Sequence, residues 1–525
     1  MSGIHVLEAI VGLIAVVVAV TAVARRFGLL TPILLVVVGL ALSFVPGFPI
    51  PRIDQELVVV AILPPLLYVA AIEISVPAFR YNLRAILQLA VGHTLFIALA
   101  VGFVVKGLMP HVPLPACLAL GAVVAPPDAI AATAVARRIG LPRRMVVILE
   151  GESLLNDATA LVLFRVTVAV AIGTAIGPLD VTKDVIQAAG GGVLIGAAGA
   201  LLFKFLHKKT TDPLIDNALS LITPFVVAVA AEFVNASGVV AVVVAGLYLG
   251  HRFPTLMSAA SRLQTFGFWQ ILKYLLEGMV FLVVGLQLRG IVRQLHEPFW
   301  QVALITGAVV LTVVVGRLAW LYPSAYGARL VPAVRRREPP LPRSIPLVIG
   351  WAGMRGVVTL ATALALPETL AGGVPYPRTL FVWLAFAVIV ATLVLQGLSL
   401  PLVARWANPP RDDQTRDFLA EAQVQNDASR AARARLDEKA DGAPPDVVQR
   451  LRQLTENRSN AVWERLGGGG ETPSVAYVRL RREMLDAERE VFRVARDEGR
   501  IPEEILVRAQ RQLDLEESLL ERSED

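Results

Sequence analysis

Residues 1–408 are a succession of apolar runs, each about twenty residues long, and that pattern leaves few folds open. A run of this length crosses ~30 Å of hydrocarbon as a helix that satisfies its own backbone hydrogen bonds. Thirteen such runs are read near 4–24, 30–46, 55–74, 82–109, 113–136, 145–177, 184–206, 214–234, 237–251, 263–289, 298–322, 344–366 and 378–406. Mean hydropathy is +0.63 and 55% of residues are hydrophobic. Those values exclude an ordinary soluble enzyme and a barrel of short alternating strands. The expected fold class is an all-α membrane protein with 13 transmembrane helices.

Residues 409–525 are of another kind. They hold 20 Lys+Arg and 26 Asp+Glu, a local charge of −6 within a chain of net charge +6. The apolar part therefore carries +12, which belongs to loops and gives no reason to expect a nucleic-acid partner. With the N-terminus outside, the inside loops carry 19 Lys+Arg and the outside loops six. The positive-inside rule then places the tail in the cytoplasm, as an odd number of crossings also requires. The first run is long and its charges follow it, so it is expected to stay as a helix and not to be cleaved as a leader. The single cysteine, Cys117, sits in an apolar run and is expected to be a small buried hydrophobe.

The sixth run is broken by polar chemistry: Gly151-Glu152-Ser153-Leu154-Leu155-Asn156-Asp157. A carboxylate at the bilayer centre costs about 2.5–3.5 kcal/mol on insertion scales, so charged groups at that depth mark an ion or proton path. Ser153 and Asp157 are four apart and share a helix face. Glu152 and Asn156 form the adjacent strip. Asp128 follows Pro126-Pro127 in the fifth run, where an unwound backbone frees carbonyls for a cation. Glu73, at the end of the third run after Leu63-Pro64-Pro65-Leu66, is a further intramembrane carboxylate. Carboxylate, hydroxyl and carbonyl oxygens suit a hard cation, and no Cys/His cluster calls for a transition metal.

The fifth and twelfth runs are seven apart and so cross in opposite senses. Both are interrupted, the twelfth by Gly350, Gly353, Met354, Arg355 and Gly356. Paired broken helices in corresponding positions of two inverted halves point to a transporter's binding site. Arg355 needs a buried anion, and Glu152 is its expected partner in a structural ion pair. Asp157 then remains the unpaired carboxylate, able to exchange a proton for a cation.

Other polar residues carry less. His93 reads as a satisfied core histidine. Lys273 and Glu277 are four apart and read as a helix pair, with Glu277 as a competitor for Arg355. Arg165 and Arg317 are expected to snorkel from helix ends. Glu150 lies near the cytoplasmic mouth, where it would gather cations.

Three stretches resemble the sodium/hydrogen exchanger branch of the monovalent cation/proton antiporters, close to its bacterial members. They are Pro126-Pro127-Asp128-Ala129-Ile130-Ala131-Ala132, the Gly151–Asp157 run and Gly353-Met354-Arg355-Gly356. Leu63-Pro64-Pro65 and Glu277-Gly278-Met279-Val280-Phe281 also fit, and the likeness spans residues 1–408. It implies two six-helix inverted repeats with crossed discontinuous helices, a core domain moving against a dimerisation domain, and a homodimer. It implies that Asp157 carries the cation or proton, that Asp128 and Ser153 help to hold Na⁺, and that Glu152 pairs with Arg355. The electrogenic branch has a second Asp where this chain has Asn156, which implies one cation per proton. The implied activity is Na⁺/H⁺ antiport across the inner membrane in pH and salt homeostasis, with K⁺/H⁺ antiport as the alternative and no cofactor.

Two further classes fit the sequence less well. A cation channel would show repeated filter-like carbonyl loops, and none is visible. An aspartyl protease using Asp128 and Asp157 would carry a Gly-x-Gly-Asp signature, which is absent. The tail reads as four polar helices at 412–440, 446–466, 475–499 and 502–523, broken at Asp441–Pro445 and Gly467–Gly470. Leu451, Leu454, Val462, Trp463, Leu466, Val475, Val478, Leu480 and Met484 are its expected core, in a domain for regulation or dimer stabilisation whose ligand the sequence leaves unnamed.

Overall fold

The computed structural model describes residues 3–46, 48, 61–128, 132–133, 135–136, 139–174, 177–295, 297–330, 332–337, 342–410, 412, 414–464, 472–498 and 500–524. The chain divides into two compact units, Met1–Arg411 and Asp412–Asp525.

In the first unit the helices are α1 (Gly3–Phe27), α2 (Thr31–Leu42), α3 (Leu63–Glu73), α4 (Val76–Leu108), α5 (Leu114–Val124), α6 (Arg143–Ala171) and α7 (Pro178–Lys209). They continue with α8 (Pro213–Phe233), α9 (Gly238–Leu256), α10 (Ala259–Arg293), α11 (Phe299–Gly327), α12 (Ser344–Trp351), α13 (Val357–Leu364) and α14 (Arg378–Ala407). Among the described residues, nine helices are long and apolar enough to cross a membrane, and the only β-pairing is one isolated bridge, Thr369 to Pro375. The helices α2, α3 and α5 are shorter apolar pieces. The first residues of the run expected at 55–74 lie outside the described part, and α3 begins at Leu63.

Helix starts follow local chemistry. Proline occupies the first or second position of α2, α3, α4 and α5, where its missing N–H is no loss. Asp212 caps α8 by accepting from the Leu214 amide at 2.8 Å. Within α4, a π-turn at Gln88–His93 widens the helix, and α14 has another at Leu393–Gly397.

Between helices in lipid, close packing replaces the hydrophobic drive, so small residues mark the contacts. A Cβ on Gly39 of α2 would lie 2.2 Å from the Leu282 carbonyl oxygen of α10, and one on Gly285 of α10 would lie 2.2 Å from that of Val36. The two backbones therefore touch. The same holds for α4 and α5, where a Cβ on Gly121 would meet the Ala98 oxygen at 2.1 Å.

Two interruptions position the site. After α5 the chain leaves the helix at residues 125–128. Neither Pro126 nor Pro127 has an N–H to continue the ladder, and each bars helical geometry before it. The second break, residues 352–356, separates α12 from α13. The two meet directly, as the Asp128 amide donates to the Met354 carbonyl at 2.6 Å.

The second unit contains α15 (Gln414–Lys439), α16 (Pro445–Glu464), α17 (Pro473–Asp497) and α18 (Glu503–Glu524). Val478 and Leu485 of α17 pack on Leu513 and Leu520 of α18, with Phe492 beside them. Of the expected core, Val478 is buried, but Leu451, Leu454, Val475, Leu480 and Met484 are exposed. The apolar spacing runs along two faces of α17 and only one is covered by α18. The side chains of Val462, Trp463 and Leu466, and the glycines 467–470, lie outside the described residues.

Candidate functional site

The polar strip of α6 is buried. Glu152 is 1% exposed, Asn156 0% and Asp157 7%. Asn156 Nδ2 donates to the Pro127 carbonyl at 3.0 Å, so α6 is fastened to a carbonyl released by the break after α5. Across that break, a Cβ on Gly356 would lie 1.7 Å from Asp128 Oδ2. Glycine at the start of α13 is what lets the carboxylate occupy that space.

A cavity of about 770 Å³ joins the expected site residues. Asp157, Asp128, Ser153 and Glu73 line it, together with Glu150, Thr133, Thr359, Lys273 and Glu277. Among the described residues, Asp157 makes no hydrogen bond or ion pair. Asn156 stands behind it as a structural tie. Carboxylate and hydroxyl oxygens thus stand on an otherwise largely apolar wall, where they could hold a hard cation.

The expected Glu152–Arg355 ion pair is not formed. Glu152 is taken by Arg317 of α11, with Nη1 to Oε1 at 2.6 Å and Nη2 to Oε2 at 2.8 Å. Arg317 also reaches the Ile349 carbonyl at 3.3 Å. It is fully buried, so it does not snorkel. A single bidentate guanidinium engages both carboxylate oxygens. Arg355, also fully buried, turns to carbonyls freed by the two breaks. It donates to Val124 at 3.2 Å, to Ala125 at 3.4 Å and to Gly353, while its own amide donates to Thr392 Oγ1 at 3.0 Å.

Two smaller expectations also change, those for Lys273 and His93. Lys273 pairs with Glu73 of α3 at 2.8 Å, not with Glu277 on its own helix. His93 is buried with neither ring nitrogen hydrogen-bonded among the described residues, and its Nδ1 lies 3.9 Å from Glu152 Oε1. Arg165 pairs with Glu232 at 2.5 Å, both half-exposed. Arg317 was the residue sequence reasoning misplaced. It is the only charge in the 29 residues of α11, and that isolation was the signal available.

Carboxylates gathered in a cavity between two broken helices, in an all-helical membrane chain, define a transporter and not an enzyme. The chain belongs to the sodium/hydrogen exchanger family, whose transmembrane model matches residues 12–406. An uncharacterised Na⁺/H⁺ exchanger of Mycobacterium tuberculosis is 36% identical over 97% of this chain and 95% of its own. A sodium, potassium, lithium and rubidium/H⁺ antiporter of Bacillus subtilis is 30% identical over 74% of this chain and 60% of its own. The solved sodium proton antiporter of Methanocaldococcus jannaschii shares the fold, with a TM-score of 0.63 at 18% identity over 77% of this chain and 99% of that one.

Proposed function

We propose that the protein is a secondary antiporter exchanging a monovalent cation, Na⁺ first, for H⁺ by alternating access. The observation that carries this is Asp157, a buried carboxylate with no partner among the described residues, in a cavity that also holds Asp128, Ser153 and Glu73. A bare buried charge is costly, so Asp157 holds either a proton or a cation. Asp128 and Ser153 add oxygens to the cation, Glu73 stands along the same cavity, and Asn156 holds the broken strand in place. Because an amide takes no proton, one proton is exchanged per monovalent cation and the cycle is electroneutral.

The reading extends to the whole molecule. Residues 1–408 make thirteen crossings in two inverted six-helix halves, with core and dimerisation subdomains. The N-terminus is outside, the tail (409–525) is in the cytoplasm, and the protein is a homodimer of the inner membrane serving pH and salt homeostasis. K⁺ is the second cargo to test, because the B. subtilis relative is named for potassium as well as sodium.

The test is a proteoliposome carrying an internal pH dye. Added Na⁺ should drive protons, Asp157→Asn should abolish the response, and a clamped membrane potential should leave the rate unchanged. Folded wild-type protein that moves no protons with Na⁺ or K⁺ from about pH 6 to 9 would sink this reading.

A further inference from the structure

The cation cavity has an annexe. A second cavity of about 350 Å³ shares Arg25, Tyr274 and Glu277 with the first and is otherwise lined by α1, α2, the link between them and α10, with Met354 of the second break and Leu393 of α14. Most of its wall is apolar, including Leu29, Leu30, Ile33 and Phe281. Two oxygens stand out against that wall. Among the described residues, Glu277 Oε1 is buried without a hydrogen-bond partner, and so is Thr21 Oγ1, whose residue is 5% exposed.

Among the described residues, no cation is ion-paired with Glu277, although Lys273 and Arg25 line the same cavity. Lys273, one turn earlier on α10, gives its ammonium to Glu73. Arg355 donates to carbonyls and Arg317 to Glu152 and a carbonyl. The larger cavity is lined by five carboxylates, Glu73, Asp128, Glu150, Asp157 and Glu277, against two fixed cations, Arg25 and Lys273. Such an imbalance raises the local concentration of mobile cations. Glu277 is only partly buried, but its enclosed Oε1 is an unsatisfied acceptor that a proton or a cation would satisfy.

We propose that Glu277, with Thr21 beside the same annexe, is a further binding site for the monovalent cation, occupied on its way between the cavity mouth and Asp157. Glu277 holds the ion at the junction of the two cavities and so sets how readily cations load. The proposal rests on the cation-transport reading but is tested by binding as well as by flux.

The experiment uses full-length protein. In detergent, Na⁺ and K⁺ chloride are titrated against the melting temperature of wild type, Glu277→Gln, Glu277→Asp and Thr21→Val, with choline chloride as the ionic-strength control. In proteoliposomes the cation dependence of proton movement is measured on the same variants. Glu277→Gln should raise the half-saturating cation concentration about tenfold in both assays, with maximal exchange rate within about twofold of wild type. Glu277→Asp should restore part of the affinity, and Thr21→Val should weaken it less. Unchanged half-saturation in Glu277→Gln would overturn the proposal. So would a wild type whose melting temperature responds to Na⁺ and K⁺ no more than to choline. Cation stabilisation that depends on Glu277 in a protein moving no protons would keep this site and discard antiport.

Discussion

The carboxylate of Glu152 grips Arg317 with both oxygens, across 165 residues of sequence. Neither side chain is more than 1% exposed, so each is the other's solvent. Removing one leaves a buried charge without its counter-ion, at a cost of about 3–5 kcal/mol. Glu152→Gln and Arg317→Met are each expected to lower the melting temperature sharply. The pair Glu152→Leu/Arg317→Met should recover much of it, because two apolar groups leave no charge stranded. Singles and double that melt additively would contradict the pairing.

Asn156 is predicted to matter through its N–H₂. Asn156→Ala removes the donor to the Pro127 carbonyl and leaves that buried acceptor unsatisfied, at about 1–3 kcal/mol. Asn156→Asp should be worse, since an ionised carboxylate would face the carbonyl oxygen across the former bond of 3.0 Å. Melting temperature and initial exchange rate should both rank wild type above Ala and Ala above Asp.

Gly356→Ala is expected to abolish exchange, because its methyl would fall on the Asp128 carboxylate. Gly107→Ala in α4 is the control: a Cβ there meets nothing within 4 Å, and an alanine in a helix interior is up to about 1 kcal/mol better than glycine. Equal exchange by the two variants would show that Asp128 tolerates displacement.

The tail has its own acid dependence. Arg481 hydrogen-bonds Glu516 through Nε and Nη2 at 2.7 and 2.9 Å, which holds the Glu516 carboxyl below the usual glutamate range. A carboxyl lowered in the folded state adds stability above its unfolded value of about 4.3 and loses it as the pH falls through the folded value. Amide protection across α17 and α18, corrected for intrinsic exchange, should be level from about pH 8 to 5 and drop only below about pH 4. Arg481→Ala should remove most of that drop. The ion pair is partly exposed, so the effect at neutral pH should be small.

The breaks were legible because proline and glycine act locally. Pro126-Pro127 ends a helix whatever surrounds it, and Gly353 and Gly356 admit backbone contact that other residues refuse. Asp157, Asp128, Ser153 and Glu73 were legible as charges and hydroxyls within apolar runs, and they line one cavity. Partnership was not legible. Glu152 chose Arg317 over Arg355, and Lys273 chose Glu73, 200 residues away, over Glu277 four residues on. Those choices depend on the register of helices packed side by side, which no local spacing encodes. The snorkelling expected of Arg317 failed because α11 runs on to Gly327, leaving the arginine three turns from the helix end.

The glycine contact between α2 and α10 bears on how such a molecule could move. With Gly39 and Gly285 pressed against the opposing carbonyl oxygens, no layer of side chains lies between the two helices to act as a lubricant. Sliding one along the other would drive oxygen into carbon within a fraction of a turn. The two behave as a single welded beam, and since Glu277 rides on α10, the junction of the two cavities is bolted to that beam.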